Sequence, residues 1–343
     1  VPKTFNNLWC QITCFENLFE AYKEARKGKR YRDDVLNFSY NLEENLINLQ
    51  NKLLWKLWRP GKFRSFYVYD PKKRLIQAPP FQDRVVHHAL VKIIEPLFER
   101  KFIYDSYACR KGKGIHAATL RLQAFLRRAK RNWRNVYVLK ADISKYFPSI
   151  NHNRLIQIIA RTIRDKNTLW LCERIIKDCG YEVKGIPVGA LTSQLFANIY
   201  LDQLDHYLKD DLGIKYYLRY MDDFVILERA KPELRELLYR IEEFLACKLL
   251  LCFNPKTSIS PTNKGVDFAG YRTWATHILP RKRNVKRARR RLKKLARLYS
   301  RKLIPLEEFK ASLMSFLGYI KHCCGCKTLK EILHELVLIR RSS

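Results

Sequence analysis

A chain of 343 residues, 47% of them hydrophobic, can bury a core, which excludes a disordered tail. Its 67 lysines and arginines against 33 acids give a formal net charge of +34, which calls for a polyanionic partner, nucleic acid ahead of a membrane surface. No apolar run reaches the roughly 18 residues of a spanning helix, no secretory signal opens the chain, and ten scattered cysteines fit a reduced, cytoplasmic setting better than a disulfide framework.

Residues 5–60 read as mainly helical. Leu42, Leu46, Leu49, Leu53 and Leu54 fall at helical spacing, and Arg59-Pro60-Gly61 ends the pattern. Residues 66–70 and 74–78 read as two strands joined by a turn at Asp70-Pro71-Lys72-Lys73, with helix resuming over 83–100. From Ile115 to Arg272 the expected order is helix, a strand ending at Asp142, helix from about Asn151, a glycine loop at 185–189, and helix. A hairpin carrying Asp222-Asp223, a helix and short strands follow. That alternation predicts an α+β fold with a mostly antiparallel sheet backed by helices. The segment 281–302 then holds 13 Lys or Arg in 22 residues and no acid. Val285, Ala288, Leu292, Leu295, Ala296 and Tyr299 recur every three or four positions, which predicts an amphipathic helix with one buried stripe. Its charged face is either simply solvated or laid along a phosphate backbone, which would relieve its self-repulsion.

The chemistry-bearing feature is Tyr220-Met221-Asp222-Asp223, two acids between the apolar runs Tyr216-Tyr217-Leu218 and Phe224-Val225-Ile226-Leu227. A bare Asp-Asp is usually a polar turn, the reading given to Asp33-Asp34 and Asp210-Asp211. Here a third acid, Asp142, ends the β-rich run Val136–Ala141. Three carboxylates on neighbouring strands could hold two divalent metals roughly 4 Å apart, the arrangement for phosphoryl or nucleotidyl transfer.

Asp142 with Tyr146-Phe147, then Gly185-Ile186-Pro187-Val188-Gly189-Ala190-Leu191-Thr192-Ser193-Gln194, then Tyr220-Met221-Asp222-Asp223, resembles the palm of a reverse transcriptase in order and spacing. Upstream, Lys72-Lys73-Arg74 and Asp83-Arg84-Val85-Val86 resemble the fingers motifs. Downstream, Asn254-Pro255-Lys256-Thr257 and Phe268-Ala269-Gly270-Tyr271 resemble the later palm motif and the primer grip. The resemblance implies a right-hand polymerase fold with fingers over 1–114, palm over 115–275 and a basic helical thumb over 276–343. It implies two Mg²⁺ ions, for which Mn²⁺ can substitute, held by Asp142, Asp222, Asp223 and the carbonyl of Ile143. Lys73 and Arg74 would lie on the dNTP triphosphate, unless they form a solvated basic turn. Phe147 would act as the steric gate against a ribose 2′-hydroxyl, unless it is a core residue. Val188, Gly189 and Gln194 would line the nucleotide pocket, Lys256 could serve as general acid, and Phe268, Gly270 and Tyr271 would form the primer grip. Arg281, Lys282, Arg283, Lys286, Arg287, Arg290 and Lys294 would meet the nucleic acid.

Val188 stands where many reverse transcriptases carry Gln, and Gln194 where many carry Pro. Both resemble the enzymes of diversity-generating retroelements, which copy a template-repeat RNA with errors at template adenines during mutagenic retrohoming. That resemblance implies template RNA, an RNA/DNA duplex, dNTPs and a small basic ring-forming accessory protein as partners, and no membrane. Group II intron-type or retron-type enzymes of ordinary fidelity are the alternatives, and a non-catalytic RNA-binding scaffold is a further one. His322-Cys323-Cys324-Gly325-Cys326 could hold a soft metal but lacks a second cysteine pair, so a structural turn is the simpler expectation.

Overall fold

Helical periodicity and short β-rich runs alternate along the sequence, and the computed structural model, which describes residues 4–69, 73–336 and 338, follows that alternation. The helices α1 (Trp9–Thr13), α2 (Phe15–Ala25), α3 (Asp33–Tyr40) and α4 (Leu42–Leu54) precede the strands β1 (Arg64–Val68) and β2 (Arg74–Ala78). The turn expected at Asp70-Pro71-Lys72 lies outside the described residues. Then come α5 (Phe81–Glu99), α6 (Ile115–Asn132), β3 (Tyr137–Asp142), α7 (Tyr146–Ser149), α8 (His152–Ala160), α9 (Lys166–Lys177) and α10 (Leu191–His206). The strands β4 (Tyr217–Tyr220) and β5 (Asp223–Glu228), α11 (Lys231–Phe244) and four short strands follow: β6 (Ser258–Pro261), β7 (Val266–Phe268), β8 (Tyr271–Thr273) and β9 (Ile278–Pro280). Three helices end the described chain: α12 (Lys282–Ser300), α13 (Leu306–Ile320) and α14 (Cys326–His334).

These elements gather into two compact units that interleave in sequence. One comprises the chain up to Cys109, Ile143–Gly213 and Arg240–Pro255; the other comprises Arg110–Asp142, Ile214–Tyr239 and the chain from Lys256 onward. In the first unit, Leu18, Tyr22, Leu46, Leu53, Val86 and Leu90 are buried at 1% exposure or less, so α2, α4 and α5 share one apolar core. Helix α9 is a second helix where a single one was expected between Asn151 and the glycine loop. Asp165 caps it by accepting from the Asn167 and Thr168 amides, and its other oxygen accepts from Leu8 and Trp9. The acids at Asp33-Asp34 form the first turn of α3 rather than a loop, where the helix dipole favours them. Asp210-Asp211 belong to a π-helical turn, Tyr207–Asp211.

The second unit is built on an antiparallel sheet in the order β4-β5-β3-β6, with α6 packed on it, and on a smaller antiparallel sheet β7-β8-β9. Leu292, Leu295 and Ala296 of α12 bury against Phe309, Phe316 and Ile320 of α13 and Ile332 of α14, as the period of the basic segment predicts. Among the described residues, no helix is long and apolar enough to cross a membrane.

Candidate active site

Strand alternation decides where the acids go. Asp142 ends β3 and pairs in register with Asp223, which begins β5, so the two carboxylates leave adjacent strands side by side. Tyr220 pairs with Asp223, leaving Met221-Asp222 as a two-residue turn between β4 and β5. Met221 has φ of 56°, a left-handed conformation that a non-glycine residue adopts at a cost. The fully buried Arg219 holds that turn from beneath, its Nη1 donating to the Met221 carbonyl at 2.9 Å. Lys140, two residues before Asp142 and so on the same strand face, places its Nζ 3.8 Å from Asp223 Oδ2. Neither basic residue was foreseen. A charge inside the apolar run Tyr217–Tyr220 was the available signal for Arg219.

Burial above all pushes the Asp223 carboxyl up to about 7; Asp142 and Asp222 add to the shift, and Lys140 and Arg281 oppose it. Its Oδ1 is buried without a hydrogen-bond partner. A buried carboxylate oxygen that lacks a donor, beside two more carboxylates, fits a hard divalent cation. Among the described residues, no three acid, imidazole or thiol groups already close around a point.

In the other unit, hydrogen bonds join Phe147, the glycine loop with Val188, and strand β2. Ile186 donates to the Phe147 carbonyl at 3.0 Å and Gly185 to the Ile150 carbonyl at 2.8 Å, joining the glycine loop to the segment after β3. Tyr146 is buried, its hydroxyl donating to the Ala197 carbonyl, while its neighbour Phe147 is half-buried. Tyr146 is thus the core aromatic of the pair. On its other side the loop meets β2, where Gln77 donates its amide to the Val188 carbonyl at 2.9 Å. Gly189 is exposed at φ of 129°, and a Cβ there would lie 3.0 Å from the Gln77 carbonyl oxygen. Gln194 is exposed in the first turn of α10, and Arg74 is exposed at the start of β2. Lys73 is exposed with its ammonium 4.3 Å from the Tyr67 ring centre, a cation–π contact rather than an idle turn charge. Ile143 is buried and bridges Phe253.

Lys256 is exposed in the turn before β6. The segment Phe268–Tyr271 is a hairpin: Phe268 pairs with Tyr271 across Ala269-Gly270, both at positive φ, as a two-residue turn of the type I′ kind requires. Phe268 and Tyr271 are fully buried, so they hold the turn rather than offer their rings. Tyr319 of α13 anchors it, donating to the Gly270 carbonyl at 2.6 Å and stacking on Tyr271 at 4.8 Å. Along α12, Lys282, Arg283, Lys286, Arg287, Arg290 and Lys294 are exposed. Arg281 differs: it is half-buried and pairs with Asp267 at 3.5 Å. Arg289 and Lys293 face Glu331 and Glu335, so counter-charge absent from the helix itself comes from the α14 segment. The His322–Cys326 segment is a turn leading into α14, with the His322 ring stacked on His116 at 3.5 Å.

The chain is similar to known proteins in sequence and in fold. The family model described as reverse transcriptase (RNA-dependent DNA polymerase) matches residues 69–273. Protein YkfC of Escherichia coli is 26% identical over 266 residues, 65% of this chain and 70% of that one. The group II intron-encoded protein LtrA of Lactococcus lactis is 28% identical over 271 residues, 72% of this chain but only 42% of its own length. Among solved structures, apo telomerase from Candida tropicalis covers 81% of this chain and 58% of its own at a TM-score of 0.50 and 13% identity, a likeness of fold. The acids, the glycine loop and most of the strands that carry them lie inside the matched span, and the chain belongs to the reverse transcriptase (RNA-dependent DNA polymerase) family.

Proposed function

We propose that this chain is an RNA-directed DNA polymerase, with fingers over 1–114, palm over 115–275 and thumb over 276–343. The observation that carries the reading is the cross-strand pair Asp142–Asp223 beside the Asp222 turn, with a buried oxygen left over for a cation. Asp142, Asp222, Asp223 and the Ile143 carbonyl would hold Mg²⁺. Bound there, the metal would lower the pKa of a primer 3′-hydroxyl and neutralise the triphosphate and the departing pyrophosphate. Lys140 steadies the Asp223 carboxylate. Arg74 offers its guanidinium fork to the triphosphate, and Lys73 reinforces it from the Tyr67 ring. Phe147 closes the space a ribose 2′-hydroxyl would need, and Lys256 supplies a proton to the leaving group. The Ala269-Gly270 turn holds the primer end, and the exposed face of α12 tracks the RNA/DNA duplex. Template RNA and dNTPs are the substrates, and the setting is cytoplasmic.

Within this family we assign the chain to the diversity-generating kind, because Val188 and Gln194 replace a polar and an imino residue at the pocket. An apolar Val188 removes a polar contact near the nascent pair, and discrimination weakens when polar groups are not matched. A small basic ring-forming protein would then be the accessory partner. A group II intron-like enzyme of ordinary fidelity is the second reading, favoured by the similarity to LtrA.

Magnesium-dependent primer extension on RNA, with product sequencing, separates these readings. Errors clustered at template adenines would support the diversity-generating assignment, and accurate copying would favour the intron-like one. Extension by wild type that persists in Asp222→Asn would sink the carboxylate assignment.

A further inference from the structure

Between β2 and the glycine loop lies a contact that the roles assigned so far do not use. Strand β2 pairs with β1 along one edge, Ser65 opposite Gln77, and Gln77 reaches the glycine loop from the other. The Gln77 amide donates to the Val188 carbonyl at 2.9 Å. The same residue is held through its side chain: Gln77 Oε1 accepts from the Tyr181 hydroxyl at 2.8 Å. Tyr181 in turn lies flat against the other end of the loop. A Cβ on Gly185 would come within 2.8 Å of its ring, and Gly185 is at φ of 110°. At the near end, a Cβ on Gly189 would lie 3.0 Å from both the Gln77 carbonyl oxygen and the Ile76 side chain, and its φ of 129° is strained for any other residue.

One residue thus grips the loop at both ends, by its backbone at Val188 and through Tyr181 at Gly185. The loop's opposite side is fixed to the Phe147 and Ile150 carbonyls and, through the Gly185 carbonyl, to His152 Nε2 at 2.7 Å. Gln77 also sits three residues from Arg74 on the same short strand. Any shift of the strand that carries the triphosphate ligand must move the Val188 carbonyl with it.

We propose that Gln77 and Tyr181 are a positioning pair that sets the distance between the triphosphate-binding strand and the Val188-Gly189 wall of the nucleotide pocket, and so governs dNTP affinity and base discrimination. The inference rests on the polymerase reading above. It concerns placement rather than chemistry, because neither side chain touches a reacting atom. A loose clamp lets Val188 drift relative to Arg74, and binding energy fixed by geometry falls off steeply with small displacements.

Single-nucleotide insertion kinetics with full-length protein on an RNA template and DNA primer test this. Tyr181→Phe keeps the ring on Gly185 and removes only the hydroxyl; Gln77→Met keeps the side-chain length and removes the acceptor. Each is expected to raise KM for the correct dNTP roughly three- to tenfold, the worth of one hydrogen bond. Each should also change the ratio of mismatched to correct insertion, with kcat within about twofold of wild type. Primer–template affinity and melting temperature should hold, and the double variant should be no worse than either single one, since both cut the same link. Unchanged KM and mismatch ratio in both variants would overturn the proposal. Additive effects would overturn it too, as would a loss confined to kcat and thermal stability. If wild type itself fails to extend any primer, the polymerase reading falls and takes this one with it; extending wild type with unaffected variants sinks the clamp alone.

Discussion

Asp222 and Arg219 flank one turn, yet replacing them should have opposite consequences. Asp222 stands at the tip of the turn, and an asparagine keeps its size, so Asp222→Asn should abolish nucleotide addition while RNA affinity and unfolding midpoint stay near wild type. Arg219 is fully buried under the same turn. Arg219→Ala leaves the Met221 carbonyl without its donor and a cavity beneath it, and should lower unfolding free energy by about 3 kcal/mol in denaturant titration. His87 gives a pH signature. It is buried on α5, its Nδ1 3.3 Å from Thr192 Oγ1, and burial above all drives its pKa down to about 3. The unfolded chain binds this proton near pH 6.5 and the folded one does not, so its share of stability is intact above that pH and drains away as pH falls toward 3. By pH 5 the loss should reach about 2 kcal/mol, and His87→Gln should remove most of that slope. At this scale the sequence exposed the acids, because a like-charged pair between apolar runs has few explanations. Arg219, Lys140 and Gln77 escaped notice, since each takes its meaning from a partner that only the turn or a distant segment supplies.

Among the elements, α12 separates two kinds of basic residue. Lys286, Arg290 and Lys294 are exposed, whereas Arg289 and Lys293 are half-buried and paired with Glu331 and Glu335. Alanine at Arg290 or Lys294 should weaken RNA binding for every sequence alike and reduce the salt slope by roughly one each. Alanine at Arg289 should cost no more than about 1 kcal/mol of stability, as partly exposed ion pairs do, with a smaller effect on RNA. The helix itself was legible, because its apolar stripe keeps helical period through ten charges. Helix α9 was legible as well: Thr168, Leu171, Cys172, Ile175 and Ile176 keep the same period and are all buried. At Phe268–Tyr271, the segment expected to form the primer grip, only the fold shows the two rings facing inward, since strands of three residues give alternation too little length to declare a face.

For the whole molecule, the net charge of +34 sets the terms of binding. RNA affinity should fall about a thousandfold between 50 and 200 mM salt if some six phosphates are contacted. A nearly flat response in a filter-binding titration would show that α12 does not follow a phosphate backbone. The α+β class was readable from the alternation of periods. The interleaving was not, because local periodicity says nothing about which distant segments close one core.

That interleaving constrains how the chain can be made. The path crosses between the two units five times, at residues 109, 142, 213, 239 and 255. The first unit holds most of its residues by Gly213 but still lacks Leu245 and Leu249, both buried, and the Leu249 carbonyl that takes the Tyr200 hydroxyl at 2.6 Å. A nascent chain paused at Gly213 therefore exposes an apolar seat whose occupant has not yet been synthesised, and it must stay soluble until about forty more residues emerge, two or more seconds of translation. Vulnerability to chaperones and proteases should peak in that interval, a kinetic burden that an uninterrupted first domain would not carry.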